Sequence, residues 1–125
     1  MRLTAPVTST WTGQNNAPER ASLTQNTDLT YPREVPDLTL DTAFDTHPLV
    51  AQLEGPTHRI TLQGDPVFSK LTVFTPPAKN FFCVEPITHA PDAVNMSLSN
   101  LETGLVDLVP GQTLSGEIRL QVEQL

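Results

Sequence analysis

The residues best equipped for chemistry lie in one stretch, "NFFCVEPITHAPDAVN", at 80–95. Glu85 closes the apolar run Phe81, Phe82, Cys83 and Val84, and Pro86 follows it at once. Proline pushes its predecessor out of the helical region and has no N–H to continue a sheet ladder. Glu85 is therefore expected where a buried strand stops, with a restrained backbone and an apolar wall beside it. A carboxylate partly removed from water has a raised pKa, which suits a general base. The same pattern also fits a solvated glutamate at a strand end. His89, Asp92 and Asn95 come next, in a segment interrupted by Pro91, so they do not form a helical metal motif. Asp92 and Asn95 fit loop capping through bonds to nearby backbone groups. Asp41, in "LDTAF", fits a turn residue after a short strand. Cys83 is the one cysteine and reads as a small core residue. It leaves no partner for an internal disulfide and no thiolate cage for a metal. No cofactor and no metal is implied.

These residues need elements to hold them, and the pattern is that of strands. Residues 2–11, rich in Thr and Val, fit one extended strand. Residues 12–37 are polar and proline-broken, and read as a long irregular connection, the least ordered interior region. Strand character returns at 38–44. "HRITLQG" at 58–64 alternates, as does "FSKLTVFTP" at 68–76, and the pair reads as a β-hairpin. "FFCVE" at 81–85 is continuous enough to suit a strand covered on both faces. The last strand, near 116–124, has the cleanest period of two, with Ile118, Leu120 and Val122 expected inward. Twelve prolines oppose any helix longer than about two turns. The fold class is all-β, an antiparallel β-sandwich or part of one, in a single domain over 1–125.

Charge narrows the function classes. The net charge is −7, and the seven Lys and Arg residues are scattered, so nothing offers a basic patch for nucleic acid or an anionic membrane surface. No apolar run approaches the roughly 20 residues that span a bilayer. The N-terminus does not read as a signal peptide. A reducing, cytoplasmic setting fits the single cysteine.

With these residues in view, the chain resembles the C-terminal part of the aldose 1-epimerase (galactose mutarotase) family. The likeness is carried by "FFCVEPITHAPDAVN", preceded by "LTVFTPP" and followed by "LVPGQTLSGEIRL", with "LDTAFD" at 40–45 upstream. The resemblance implies half of a large β-supersandwich that binds a sugar on a concave sheet face. It implies an isomerase that interconverts α and β anomers of an aldohexose: a base takes the C1 hydroxyl proton, an acid protonates the ring oxygen, and the ring opens and recloses. Glu85 matches the family's glutamate base, and Asp41 its hydroxyl-binding aspartate. His89 stands where some relatives carry a histidine and is expected to touch substrate without being the acid. The family's acid histidine and sugar-binding arginine lie upstream of the matched part. The chain is thus expected to be a partial domain with little or no activity alone, with an uncovered apolar face and open sheet edges. The alternative from another class is a non-enzymatic carbohydrate-binding β-module that keeps Asp41 and Glu85 as acceptors.

Overall fold

The computed structural model describes residues 1–12, 19–96, 98 and 100–125. Among the described residues, ten strands form two antiparallel five-stranded sheets. The strands are β1 (Arg2–Thr4), β2 (Val7–Thr12), β3 (Glu19–Ser22), β4 (Arg33–Glu34), β5 (Asp41–Thr46), β6 (Val50–Glu54), β7 (His58–Gly64), β8 (Lys70–Phe74), β9 (Cys83–Ile87) and β10 (Ile118–Gln124). The first sheet runs β10-β7-β6-β1-β4 and the second β3-β2-β5-β8-β9. Helix among the described residues is limited to 3-10 turns at Val35–Asp37 and Ala93–Asn95 and one α-turn, α1 (Asn100–Thr103). The all-β antiparallel sandwich expected from the sequence is what forms.

The core lies between the sheets. Leu3, Ala51 and Leu62 come from the first sheet, and Phe44, Leu71 and Val73 from the second. On β5, Thr42 and Phe44 oppose Val73 and Leu71 of β8, which sets the even-numbered residues of β5 inward. Asp41, Ala43 and Asp45 must then face the other way, because successive side chains alternate across a strand. A bulge on β2 makes that arrangement continuous. Val7 pairs with Thr46 while Ser9 pairs with Asp45, so the extra residue, Thr8, shifts the register. Val7 thereby reaches the core, and Ser9 and Trp11 turn to the outer face.

Several local expectations are corrected. Residues 2–11 do not form one strand: Ala5 and Pro6 separate β1 from β2, and the two lie in different sheets. The expected hairpin of 58–64 with 68–76 does not form. Both edges of β7 are taken by β6 and β10, and the Asp65–Phe68 turn carries the chain across to the other sheet. Strand β6 went unread in the sequence. Within 12–37 the structure has β3, β4 and a 3-10 turn, while the part of that expectation at 13–18 lies outside the described residues. The run 81–85 is not covered on both faces. Strand β9 starts at Cys83, stands at a sheet edge, and leaves Phe81 52% exposed before it. An edge is also where Pro86, without an N–H, is tolerated. Ile118, Leu120 and Val122 alternate as expected, but every residue of β10 is exposed. Period two identifies two faces without saying that anything covers one of them.

Candidate functional site

The outer face of the second sheet gathers the polar chemistry. Its register runs across five strands: Arg20 opposite Trp11, Trp11 opposite Ala43, Ala43 opposite Thr72, and Thr72 opposite Glu85. One step along, Asp41 lies opposite Phe74, and Phe74 opposite Cys83. Directly opposed residues share a face. Asp41 and Glu85 therefore project from the same face, with β8 between them and a two-residue offset. Strand spacing and rise place their Cα atoms about 12 Å apart.

Glu85 sits inside β9 and not at its end, since the strand continues through Pro86 to Ile87. Its side chain is exposed, and the apolar neighbour Val84 turns to the opposite face, toward the core. Cys83 lies beside it. Burial first, then the hydrogen bond and charge of Glu85, push the Cys83 thiol pKa up. Cys83 is half-buried, not the core residue expected from the sequence. Asp41 is exposed at the start of β5.

His89 follows β9 in the loop 88–96, exposed, with Nδ1 2.9 Å from the Ala90 carbonyl oxygen. Asp92 and Asn95 do not cap the loop through backbone groups as expected; their side chains bond to each other, and no side-chain bond caps the 3-10 turn. The Asn95 amide donates to Asp92 at 2.6 Å, and Asp92 holds a left-handed φ of 56° ahead of the 3-10 turn. This loop closes over the middle of the sheet face. Ala90 is fully buried against Trp11 and Ala43, with Ile87 and Met96 packed alongside. The loop is pinned in turn by α1, for the Ala90 N–H donates to the Thr103 carbonyl at 2.7 Å.

A residue missed in the sequence dominates the electrostatics of this face. Asp45 accepts from the Ser9 hydroxyl and from Trp11 Nε1 at 2.9 Å. Lys70 Nζ and Arg20 Nε each stand 2.9 Å from its carboxylate. Burial pushes the Asp45 pKa up, but the bonds from Ser9, Lys70 and Trp11 outweigh it, so the carboxyl titrates below its usual range. The two cations also stack on the indole, Arg20 at 5.0 Å and Lys70 at 5.7 Å from its ring centre. Lys70 is only 4% exposed. A lone lysine in an apolar strand and a lone tryptophan were the signals in the sequence, and their partner could only be found in three dimensions. A shallow cavity of about 300 Å³ opens over this cluster, bordered also by His47. A roomier cavity, about 520 Å³, lies between Val35, Leu38, Thr75, Lys79 and Phe82, and neither Asp41 nor Glu85 lines it. Among the described residues no three His, Cys, Asp or Glu side chains converge as a metal site. No helix among them is long and apolar enough to cross a membrane.

No protein-family model and no curated protein matches the chain. A solved structure does. The crystal structure of an Escherichia coli K12 protein described as "Putative aldose 1-epimerase" matches 99% of this chain with a TM-score of 0.82 and 26% identity. The match covers 46% of that protein, so this chain spans less than half of its length. The resemblance to aldose 1-epimerases read from the sequence thus extends to the three-dimensional fold, and its partial extent agrees with a part of such a protein.

Proposed function

We propose that this chain forms part of an aldose 1-epimerase-type isomerase, acting on an aldohexose through the outer face of the sheet that carries Asp41 and Glu85. The observation that carries this reading is the shared face of those two carboxylates in a fold that matches an aldose 1-epimerase-like structure over 99% of the chain. Glu85, exposed on β9, takes the C1 hydroxyl proton. Asp41 accepts hydrogen bonds from sugar hydroxyls, and the gap of about 12 Å between the two Cα atoms leaves room for a pyranose between their side chains. His89, on the loop that follows β9, borders the same sugar.

Ring opening needs a base at O1 and an acid at O5 together. None of the three histidines is assigned the acid role. His58 begins β7 in the other sheet, where its Nδ1 pairs with Thr57 Oγ1 at 2.8 Å. His47 stands by the Asp45 cluster, beyond the far end of β5 from Asp41. His89 Nδ1 is engaged with the Ala90 carbonyl. The acid is supplied by residues outside these 125.

Polarimetry on freshly dissolved α-galactose or α-glucose tests the reading. The 125-residue chain alone is expected to stay near the spontaneous rate. A protein that joins it to an acid-bearing segment is expected to catalyse mutarotation and to lose about 10²- to 10⁴-fold on Glu85→Gln, which keeps the shape and removes the proton acceptor. Catalysis that survives Glu85→Gln removes the base assignment. Robust catalysis by the chain alone returns the acid to one of its own histidines. Sugar binding that depends on Asp41 and Glu85 without any catalysis in the joined protein selects the carbohydrate-binding module instead.

A further inference from the structure

The outer face that carries Asp41 and Glu85 also carries an aromatic ring. Phe74 ends β8, an interior strand with β5 on one side and β9 on the other. It lies directly opposite Asp41 on β5 and Cys83 on β9, so it shares their face. The core-facing residues of β8 are Leu71 and Val73. Phe74 is half-buried, and neither apolar cluster of the described residues includes it. Resting on the sugar-site reading above, we propose that Phe74 is the floor of that site. Its ring lies under the C3–C5 side of the pyranose and restricts the substrate to aldohexoses with an equatorial O3.

Register fixes where the floor stands. Opposed side chains on antiparallel strands have Cβ atoms about 5 Å apart, and diagonal ones about 7 Å. Phe74 is opposed to Asp41 and diagonal to Glu85, which follows Cys83 by two positions on β9. A pyranose held between the two carboxylates therefore lies over Phe74, with its far hydroxyls at Asp41 and C1 at Glu85. Thr72, the next outward residue of β8, is opposed to Glu85 and to Ala43. The face closes on that side, because Ala90 of the loop 88–96 is buried against Ala43 and Trp11. The open part of the floor is the Phe74 end.

The two faces of a pyranose differ in chemistry. In glucose, galactose and mannose, C3–H and C5–H are axial and point to one face. The axial O4 of galactose and the axial O2 of mannose point to the other. Laying the C3–H and C5–H face on Phe74 sets weakly positive hydrogens against the negative face of the ring and removes apolar area from water. The axial O1 of an α anomer points to this same face, toward the sheet from which Glu85 rises, so the base and the floor act from one side. Allose differs from glucose in having O3 axial, directed at the floor. That hydroxyl loses its water there and gains no partner.

The test is saturation-transfer NMR on the 125-residue chain with D-galactose as the probe. Transfer is expected to be strongest at H3 and H5 and weak at H2, which points to the opposite face. Phe74→Leu should weaken galactose binding about tenfold, while Phe74→Tyr should hold it within about twofold. D-allose should bind about tenfold more weakly than D-glucose. Asp41→Asn tests the site itself. A chain that loses galactose on Asp41→Asn but not on Phe74→Leu keeps the sugar site and overturns the floor. Strongest transfer at H2, or equal affinity for allose and glucose, overturns the assigned face and the substrate restriction. Galactose binding that ignores Asp41→Asn, or no binding at all, overturns the sugar reading and the floor with it. If Phe74→Leu does not fold, the proton pattern and the allose comparison on the unaltered chain decide alone.

Discussion

At the scale of single residues, Asp45 organises the outer sheet face through four neighbours at once. Its removal strands a cation. Asp45→Ala leaves Lys70, 4% exposed, with Ser69 Oγ at 3.3 Å as its nearest polar contact, and an uncompensated buried charge costs about 3 kcal/mol or more. Lys70→Met should cost less, because Asp45 keeps Ser9, Trp11 and Arg20. Urea titrations of both variants read the difference, and equal losses would contradict the asymmetry. The pH dependence has a definite sign. Asp45 has a folded pKa below its ordinary 3.8, so the stability it contributes is fully present above that value and is lost as pH falls through the folded pKa. Asp45→Asn is expected to flatten the loss of stability below about pH 4 relative to the parent chain. The Asp45 cluster could not be read from the sequence, where Lys70 and Trp11 are only isolated signals, because Ser9, Trp11, Arg20, Asp45 and Lys70 are brought together only by strand register. Glu85 and Asp41 are singled out for another reason: their local context resembles a known family. Their environment was not legible, and Glu85 proves exposed, not walled in.

At the scale of elements, period-two alternation located strands well and their neighbours poorly. Residues 58–64 were read at the bounds of β7, and the last strand nearly so. Adjacency in the chain then suggested the wrong partner for β7, because alternation says which residues share a face and not which edge they meet. The bulge at Thr8 was beyond reach for a related reason: it is defined by the register against β5. The loop over the site depends on a different local device. Gly104 ends α1 with a φ of 78°, its N–H donating to the Asn100 carbonyl at 2.8 Å. A Cβ there would fall 2.4 Å from the Thr88 carbonyl oxygen and 2.9 Å from Ser69 Oγ. Both the conformation and the space demand glycine. Gly104→Ala is expected to cost about 2 kcal/mol and to unseat α1 from the loop. Hydrogen exchange checks this at the Ala90 amide, which donates to Thr103. Unchanged protection there would mean the loop is held by Trp11 and Ala43 alone.

At the scale of the whole molecule, two sheets enclose one core while the last strand reaches past it. The sandwich class was legible because proline and alternation both excluded long helices. The exposure of β10 was not, since whether a layer covers a strand cannot be inferred from its own residues. The arrangement of neighbours also sets a clock. β2–β3, β6–β7 and β8–β9 join strands close along the chain, but β1–β6, β2–β5, β5–β8 and β7–β10 join strands far apart. The entropy of closing those long loops must be met before their contacts contribute. Stopped-flow refolding is therefore expected in milliseconds to seconds, the range of non-local β-folds, and microsecond folding would contradict the topology. The second edge of β7 is served late: its partner spans Ile118–Gln124, so a nascent chain holds that edge open until those residues have emerged, long after β7 and β6 can pair.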